Sequence, residues 1–234
     1  MEYLYCGNEN FEDFASGRVI YGGKGIPNFP VRLLNEMYGR AVNYLHNKDD
    51  LVVYDPCCGG GYSLTVLGFM HNSEIKKIYG SDIDEFMIAH AKKNTGLLTT
   101  LGLNSRRNDI KRLYKEHRKH SHMEALNSCD KLEGLLKHEI CADIFQADCT
   151  EELPRLLPDI IIIDVPYGNL VEWKSVGQIS IDSMLEQLWM ISHEKTILAI
   201  CMDKKQKNSC GKWNRLEKHN IGKRKFEILT KYLS

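Results

Sequence analysis

The apolar residues of this chain form short continuous runs that alternate with stretches of helical spacing. Runs of this kind, bounded by turn residues, are typical of buried strands. Strands are predicted at Leu51–Asp55, Lys77–Asp82, Ile144–Ala147, Asp159–Asp164, Thr196–Met202 and Lys225–Lys231. Helices are predicted at Phe29–Leu45, Ser63–His71, Glu85–Asn94 and Ile181–Ile191. The alternation of strands with helices predicts an α/β fold, in which right-handed crossovers build a mostly parallel sheet.

Two segments extend this pattern, and both are expected to belong to one domain over residues 1–234. Residues 1–48 are predicted to cap the sheet, because residues 1–30 are rich in glycine and proline turns and a helix follows. Residues 101–142 separate the second crossover helix from the third strand, where about six residues are usual. Their polar, helix-forming composition predicts a helical insertion, and its first half is basic.

Composition and charge narrow the class of protein only slightly. The chain has 43% hydrophobic and 26% charged residues, with 31 basic and 31 acidic side chains, as in an ordinary globular protein. Its eight cysteines lack the spacing of a disulfide framework or a zinc site. Met1–Asn10 has no signal-peptide pattern, and no apolar stretch is long enough to span a membrane. We therefore expect a reduced, cytoplasmic protein without a membrane partner.

The segment Asp55-Pro-Cys-Cys-Gly-Gly-Gly61 follows the first strand and predicts a ligand-binding turn. Glycines there allow a sharp turn and let a ligand approach the backbone. Asp82 ends the second strand, where an acid can accept hydrogen bonds from ribose hydroxyls. These features alone suit both a dinucleotide and S-adenosylmethionine.

Two observations favour S-adenosylmethionine as the cofactor. Cys57 stands where the dinucleotide fingerprint requires a glycine, and Asp148 follows the third strand, where it can accept a hydrogen bond from an adenine amino group. Acids then stand at three successive strand ends. The predicted cofactor-binding residues are Asp55, Pro56, Cys57, Gly59, Gly61, Asp82, Ile83, Asp148 and Asp164.

The segment Asp164-Val-Pro-Tyr167 predicts the catalytic site for a methyl acceptor. An exocyclic amine is a poor nucleophile, and Asp164 with the carbonyl of Val165 could accept its two hydrogens and aim its lone pair. Pro166 restricts Val165 to an extended conformation, and Tyr167 can stack on a base. The alternative is a strand that ends in an ordinary turn.

Basic clusters indicate an RNA partner. Residues 204–225 contain nine Lys or Arg and one acid, with an aromatic residue interleaved, and the predicted insertion carries a second group. Such clusters suit RNA backbone and base contacts, although charge runs are often only solvated surface. The predicted RNA-binding residues are Tyr167, Arg106, Arg107, Lys111, Lys204, Lys205, Lys207 and Trp213. His117, His120 and His122 lack cysteine partners at ligand spacing, so we expect no metal.

The quoted motifs resemble those of the AviRa family of avilamycin-resistance 23S rRNA methyltransferases. The likeness rests on Asp55-Pro-Cys-Cys-Gly-Gly-Gly-Tyr, Thr65-Val-Leu-Gly, Ser81-Asp-Ile-Asp84, Ser121-His-Met-Glu-Ala125 and Asp164-Val-Pro-Tyr-Gly168, and runs from about residue 29 to about residue 204. The resemblance implies a Rossmann-like class I methyltransferase fold, with a seven-stranded sheet, one antiparallel strand and helices on both faces. It also implies S-adenosylmethionine as donor and a guanine of large-subunit rRNA as substrate.

The combined prediction is an S-adenosylmethionine-dependent enzyme that methylates an exocyclic amine, N2 of a guanine in 23S rRNA or its large-subunit precursor. Other acceptors in tRNA, DNA or a protein Gln/Asn amide would suit the same motif. A catalytically silent RNA-binding or ribosome-assembly factor is the alternative from another class. The resemblance also connects the chain with antibiotic resistance.

Overall fold

The computed structural model describes residues 1–23, 28–165, 178–207 and 211–231, with the backbone alone for residues 178–180. Seven strands form one sheet in the order β3-β2-β1-β4-β5-β7-β6. They are β1 Leu51–Asp55, β2 Ile75–Asp82, β3 Ala142–Gln146, β4 Ile160–Asp164, β5 Ile197–Asp203, β6 Trp213–Ile221 and β7 Arg224–Lys231. β1 to β5 are parallel, and β7 runs antiparallel to both of its neighbours. The predicted seven-stranded Rossmann-like fold is confirmed.

Six α-helices accompany the sheet in the described part of the chain. They are α1 Val31–Asn43, α2 Tyr62–Met70, α3 Glu85–Thr95, α4 Thr100–His117, α5 His120–Leu135 and α6 Gln178–Ile191. Neighbouring residues of β4 face opposite apolar clusters: Ile160 and Ile162 pack with α1, α2 and α3, whereas Ile161 and Ile163 pack with α6. Both faces of the sheet are therefore covered, which is why the central strands read as continuous apolar runs.

The segment between α3 and β3 forms the antiparallel helices α4 and α5, which turn at Arg118 with a φ of 51°. Leu103 and Ile110 of α4 and Leu132 of α5 belong to the same apolar cluster as the first sheet face. The Ser128 hydroxyl of α5 donates to Asp13 over 2.6 Å, so the helices also hold the N-terminal segment. They thus extend the main core rather than enclosing a second one.

The sequence pattern did not predict β6. After the buried Trp213, its residues are partly buried or exposed, and most of them are polar. β6 lies at the edge of the sheet and pairs with β7 alone, so its backbone hydrogen bonds form without an apolar run. Among the described helices none has the length and apolar character that crossing a membrane requires.

Candidate active site

The carboxyl ends of the parallel strands bring the predicted acids to one edge of the sheet. Asp55 ends β1, Asp82 ends β2 and Asp164 ends β4, while Asp148 follows β3 closely. In the sheet these strands are adjacent in the order β3-β2-β1-β4. Ligands of open α/β sheets bind outside this edge, so the four acids line the expected crevice.

The glycine loop after β1 leaves its backbone open to a ligand. The Gly59 amide donates to Asp82 Oδ2 over 2.9 Å, and its φ is 49°. A Cβ at Gly59 would meet no atom within 4 Å, so the space over this backbone is open. Gly61 differs, because its φ is 73° and a Cβ would lie 2.9 Å from the Ala91 Cα of α3. Gly61 is thus required for packing, and Gly59 leaves room for a cofactor.

Asp55 is buried at the centre of the crevice, with 5% of its surface exposed. Its Oδ1 accepts a hydrogen bond from the Cys57 amide over 3.0 Å. Its pKa is raised to about 8, mainly by burial and also by the nearby acids Asp82 and Asp164, while the hydrogen bond from the Cys57 amide lowers it. The carboxyl is therefore protonated at neutral pH, and a cationic ligand beside it would favour the ionised form.

Asp82 links the loop to an exposed apolar surface. Its Oδ2 accepts from Gly59 and its Oδ1 accepts from the Asp84 amide over 3.0 Å, while burial raises its pKa. Next to it Ile83 is 51% exposed and Phe86 is 68% exposed. These two exposed apolar side chains lie beside the acid that is predicted to bind the ribose, where they could pack on an adenine ring. Phe86 was missed by sequence reasoning, although an apolar residue in the first turn after the acidic strand end is a usable signal.

The end of β3 is tied to the glycine loop. Asp148 Oδ1 accepts from the Thr150 amide over 2.9 Å and from its hydroxyl over 2.7 Å. The neighbouring Cys149 Sγ lies 3.5 Å from Cys57 Sγ, and both thiols are free. The contact between the two thiols places the predicted adenine-binding end against the loop that contains Pro56. No cluster of three or more metal-ligating side chains occurs among the residues that the structure describes.

Asp164 lies at the predicted acceptor end of the crevice, where burial and its polar neighbours have opposite effects on its pKa. Burial raises its pKa to about 6, while the Arg224 guanidinium and the Cys201 thiol lower it. Arg224 Nη1 lies 3.8 Å from Asp164 Oδ2. The buried Val165 donates its amide hydrogen to the Cys201 carbonyl over 2.9 Å, which fixes the end of the strand. Pro166 and Tyr167 lie outside the described residues.

The predicted basic cluster of residues 204–225 is divided between opposite edges of the sheet. Lys204 and Lys205 are exposed at the cofactor edge, where the Lys204 amide donates to the Lys223 carbonyl over 3.1 Å. Lys207 is exposed as well. Trp213 begins β6 at the opposite edge, paired with Lys231.

Trp213 is a core residue, which corrects the prediction that it contacts RNA. It is 6% exposed, and its indole Nε1 donates to the Leu185 carbonyl of α6 over 2.9 Å. A tryptophan among lysines can form a surface on which RNA bases stack only when all of these residues lie on the same exposed face of the protein. In β6 the side chains alternate between faces, and Trp213 points inward.

The predicted arginines of α4 are engaged within the protein. Arg106 donates to the Val19 and Arg18 carbonyls over 2.9 and 3.2 Å. Arg107, 14% exposed, pairs with Asp130 and Glu133 of α5 over 3.1 and 2.9 Å. These contacts argue against the RNA role predicted for both arginines. Lys111, one turn further along α4, is exposed.

Comparison with known proteins relates the whole arrangement to methyltransferases. A sequence model described as rRNA methyltransferase AviRa matches residues 1–224. The 23S rRNA (guanine(2535)-N(1))-methyltransferase of Streptomyces viridochromogenes is 31% identical over 224 residues, which cover 91% of this chain and 88% of that protein.

Solved structures agree with this result. The structure of rRNA methyltransferase AviRa from Streptomyces viridochromogenes at 1.5 Å has a TM-score of 0.86 and 28% identity, covering 96% of this chain and 94% of the other. A putative RNA methyltransferase from Pyrococcus horikoshii, 12% identical with a TM-score of 0.53 over 91% of each chain, shares the fold. The prediction of an S-adenosylmethionine-dependent methyltransferase is confirmed. The chain belongs to the AviRa family of rRNA methyltransferases.

Proposed function

We propose that this protein transfers the methyl group of S-adenosylmethionine to N1 of a guanine in 23S rRNA. The observation that carries this proposal is Asp164, a partly buried acid with a pKa of about 6 at the end of β4, beside the acids of the cofactor crevice. The Streptomyces viridochromogenes relative bears the name of a guanine N1 methyltransferase of 23S rRNA. N2, which the sequence motif predicted, is the neighbouring atom on the same edge of the base.

The cofactor is proposed to bind with its nucleoside over β2 and β3. Asp82 accepts hydrogen bonds from the ribose hydroxyls, and Ile83 and Phe86 pack on the adenine ring. Asp148 keeps one carboxylate oxygen for the adenine amino group, since Thr150 occupies the other. Asp55 faces the cationic methionine end, where a positive charge would favour its ionised form. The open backbone at Gly59 leaves space for this ligand.

Asp164 is proposed to handle the proton of the acceptor nitrogen. Guanine N1 carries a hydrogen and its lone pair is delocalised, so it becomes nucleophilic as that proton leaves. With a pKa of about 6, Asp164 is mostly ionised at neutral pH and can accept the proton. S-adenosylmethionine would supply the electrophilic methyl carbon. As the nitrogen bonds to that carbon, the carbon–sulfur bond would break, and the sulfur of S-adenosylhomocysteine would leave as a neutral thioether.

Lys204 and Lys205 are proposed to contact the RNA backbone near this site. Both are exposed and follow β5, the strand next to β4, at the edge where Asp164 lies. Lysines that neutralise phosphates release counterions, so binding should weaken as salt rises. This position would hold the phosphates flanking a guanine that is turned out toward the cofactor.

The proposal is tested by incubating the protein with methyl-labelled S-adenosylmethionine and unmodified 23S rRNA, 16S rRNA, tRNA or duplex DNA. We expect label in 23S rRNA alone, and a loss of at least about a hundredfold in Asp164→Asn, as for removal of a general base. Asp49→Asn removes the same charge from the exposed loop before β1 and serves as the matched control.

Digestion of the labelled RNA to nucleosides then distinguishes the two nitrogens. Co-migration of the label with 1-methylguanosine supports the proposal, and co-migration with N2-methylguanosine would return the assignment to the exocyclic amine. Label in tRNA, DNA or a protein would change the substrate class. Cofactor binding without transfer to any acceptor would indicate a silent RNA-binding or assembly factor.

A further inference from the structure

Arg224 reaches the acceptor end of the crevice from a distant part of the sequence. It begins β7 directly after the turn from β6, and its backbone pairs with Asp203 at the end of β5. Its Nη1 lies 3.8 Å from Asp164 Oδ2, and its Cζ lies 5.6 Å from the ring centre of the buried Phe29. The guanidinium is therefore close to both the Asp164 carboxylate and an aromatic ring.

The groups that face Asp164 come from three strands of the sheet. β7 contributes the Arg224 cation, β5 contributes the Cys201 thiol, and β1 contributes the buried Asp55 carboxyl. Burial disfavours the charged form of Asp164, and Asp55 would repel it once ionised. Arg224 is the cation that acts on Asp164 in the described part of the chain. Its charge, together with the hydrogen bond from the Cys201 thiol, partly offsets the effect of burial on the carboxylate.

We propose that Arg224 is a positioning residue for methyl transfer, which keeps the Asp164 carboxylate ionised and oriented so that it can receive the proton of the acceptor base. This role rests on the proposed function of Asp164. In this role Arg224 acts through the Asp164 carboxylate and does not itself bind the cofactor or the base. The turn between β6 and β7 thus becomes a part of the acceptor site.

The test compares Arg224→Gln with Arg224→Lys in the full chain. Two quantities are measured: the pH dependence of kcat with 23S rRNA, and the titration of the Asp164 carboxyl carbon by ¹³C NMR in the ligand-free protein. In Arg224→Gln we expect the kcat profile and the Asp164 titration to move to higher pH by about one pH unit. This shift is at the lower end of the range by which an adjacent arginine lowers the pKa of an aspartate. Activity at pH 7 then falls about twofold and recovers at high pH.

Arg224→Lys keeps the charge and should restore most of the wild-type profile. Lys223→Gln removes the same charge from the preceding residue, and should leave the Asp164 titration where it is. A loss of activity in Arg224→Gln that is equal at every pH, with an unmoved NMR titration, would overturn the proposal and leave a purely structural arginine. If Arg224→Gln unfolds, Arg224→Met, which keeps the side-chain stem against Phe29, gives the same comparison.

The two readouts separate this inference from the proposed function. If the wild-type protein methylates no RNA, the proposed function fails, and the NMR titration still decides whether Arg224 controls the Asp164 carboxyl. If methyl transfer occurs and the titration does not respond to Arg224, only the inference about Arg224 fails.

Discussion

Replacing Asp55 by Asn should stabilise the ligand-free protein while weakening its cofactor binding. The side chain is buried, and burial raises its pKa from 3.8 to about 8. Between these values the unfolded chain is ionised at Asp55 while the folded protein remains protonated. The free energy of unfolding must therefore decrease as pH rises through this window and level off above it. Asn has the same shape, keeps an acceptor for the Cys57 amide and removes this penalty.

The size of the effect follows from the displacement of the pKa. Each unit between the folded and unfolded pKa corresponds to about 1.36 kcal/mol, so the penalty in the wild type approaches about 5 kcal/mol near pH 7.5. From about pH 6 to about pH 8 the advantage of Asp55→Asn should grow by about 2 kcal/mol. For a chain of this length, that growth corresponds to about 5 °C in Tm.

Thermal and urea unfolding of both proteins across this pH range provide the assay. Asp49→Asn, an exposed change of the same charge, reports the effect of net charge alone. Calorimetry should show that wild-type cofactor binding strengthens as pH rises, and that Asp55→Asn binds about ten- to a hundredfold more weakly, the range for a hydrogen bond to a charged group. A stability difference that does not widen between the two pH values would refute the argument from burial.

Three further changes test the rest of the site. Gly59→Ala should lower the free energy of unfolding by about 1 kcal/mol because of its positive φ, and it should abolish cofactor binding in calorimetry. Gly134→Ala, in α5 with open space around it, is the control and should be neutral or stabilising in thermal unfolding. Trp213→Phe should lower the free energy of unfolding by about 1–3 kcal/mol, since the Leu185 carbonyl loses its donor; a loss of RNA affinity in filter binding with unchanged stability would contradict this. The double change of Lys204 and Lys205 to Gln should reduce the salt slope of RNA binding by about 1.5, and an unchanged slope would remove both lysines from the interface.

The meeting of the acids that we propose to hold the cofactor could be predicted, because their signals are local in sequence. Each acid directly follows an apolar run, and parallel strands necessarily bring their carboxyl ends to one edge. The Gly59 amide that donates to Asp82 shows that the two predicted strand ends do meet. The sequence could not predict the protonation of Asp55, because that depends on how completely the folded chain excludes water from it.

The basic residues were harder to interpret because their partners are distant in sequence. Arg107 appears as part of a basic helix, and only the packing of α5 against α4 shows that Asp130 and Glu133 neutralise it. Trp213 had the same difficulty, since β6 carries too few apolar residues to be recognised as a strand. Without the strand, its inward-facing position cannot be inferred.

The antiparallel strand β7 explains why the acceptor site draws on the C-terminal region at all. A parallel strand in that place would begin at the opposite edge of the sheet and carry its first residue away from Asp164. Because β7 is reversed, its first residue, Arg224, lies at the cofactor edge, and the adjoining turn brings Lys223 beside Lys204. One reversal of chain direction therefore brings the cation that acts on the acceptor acid to the edge where the methyl donor would bind, beside Lys204 and Lys205, which follow the parallel strand β5.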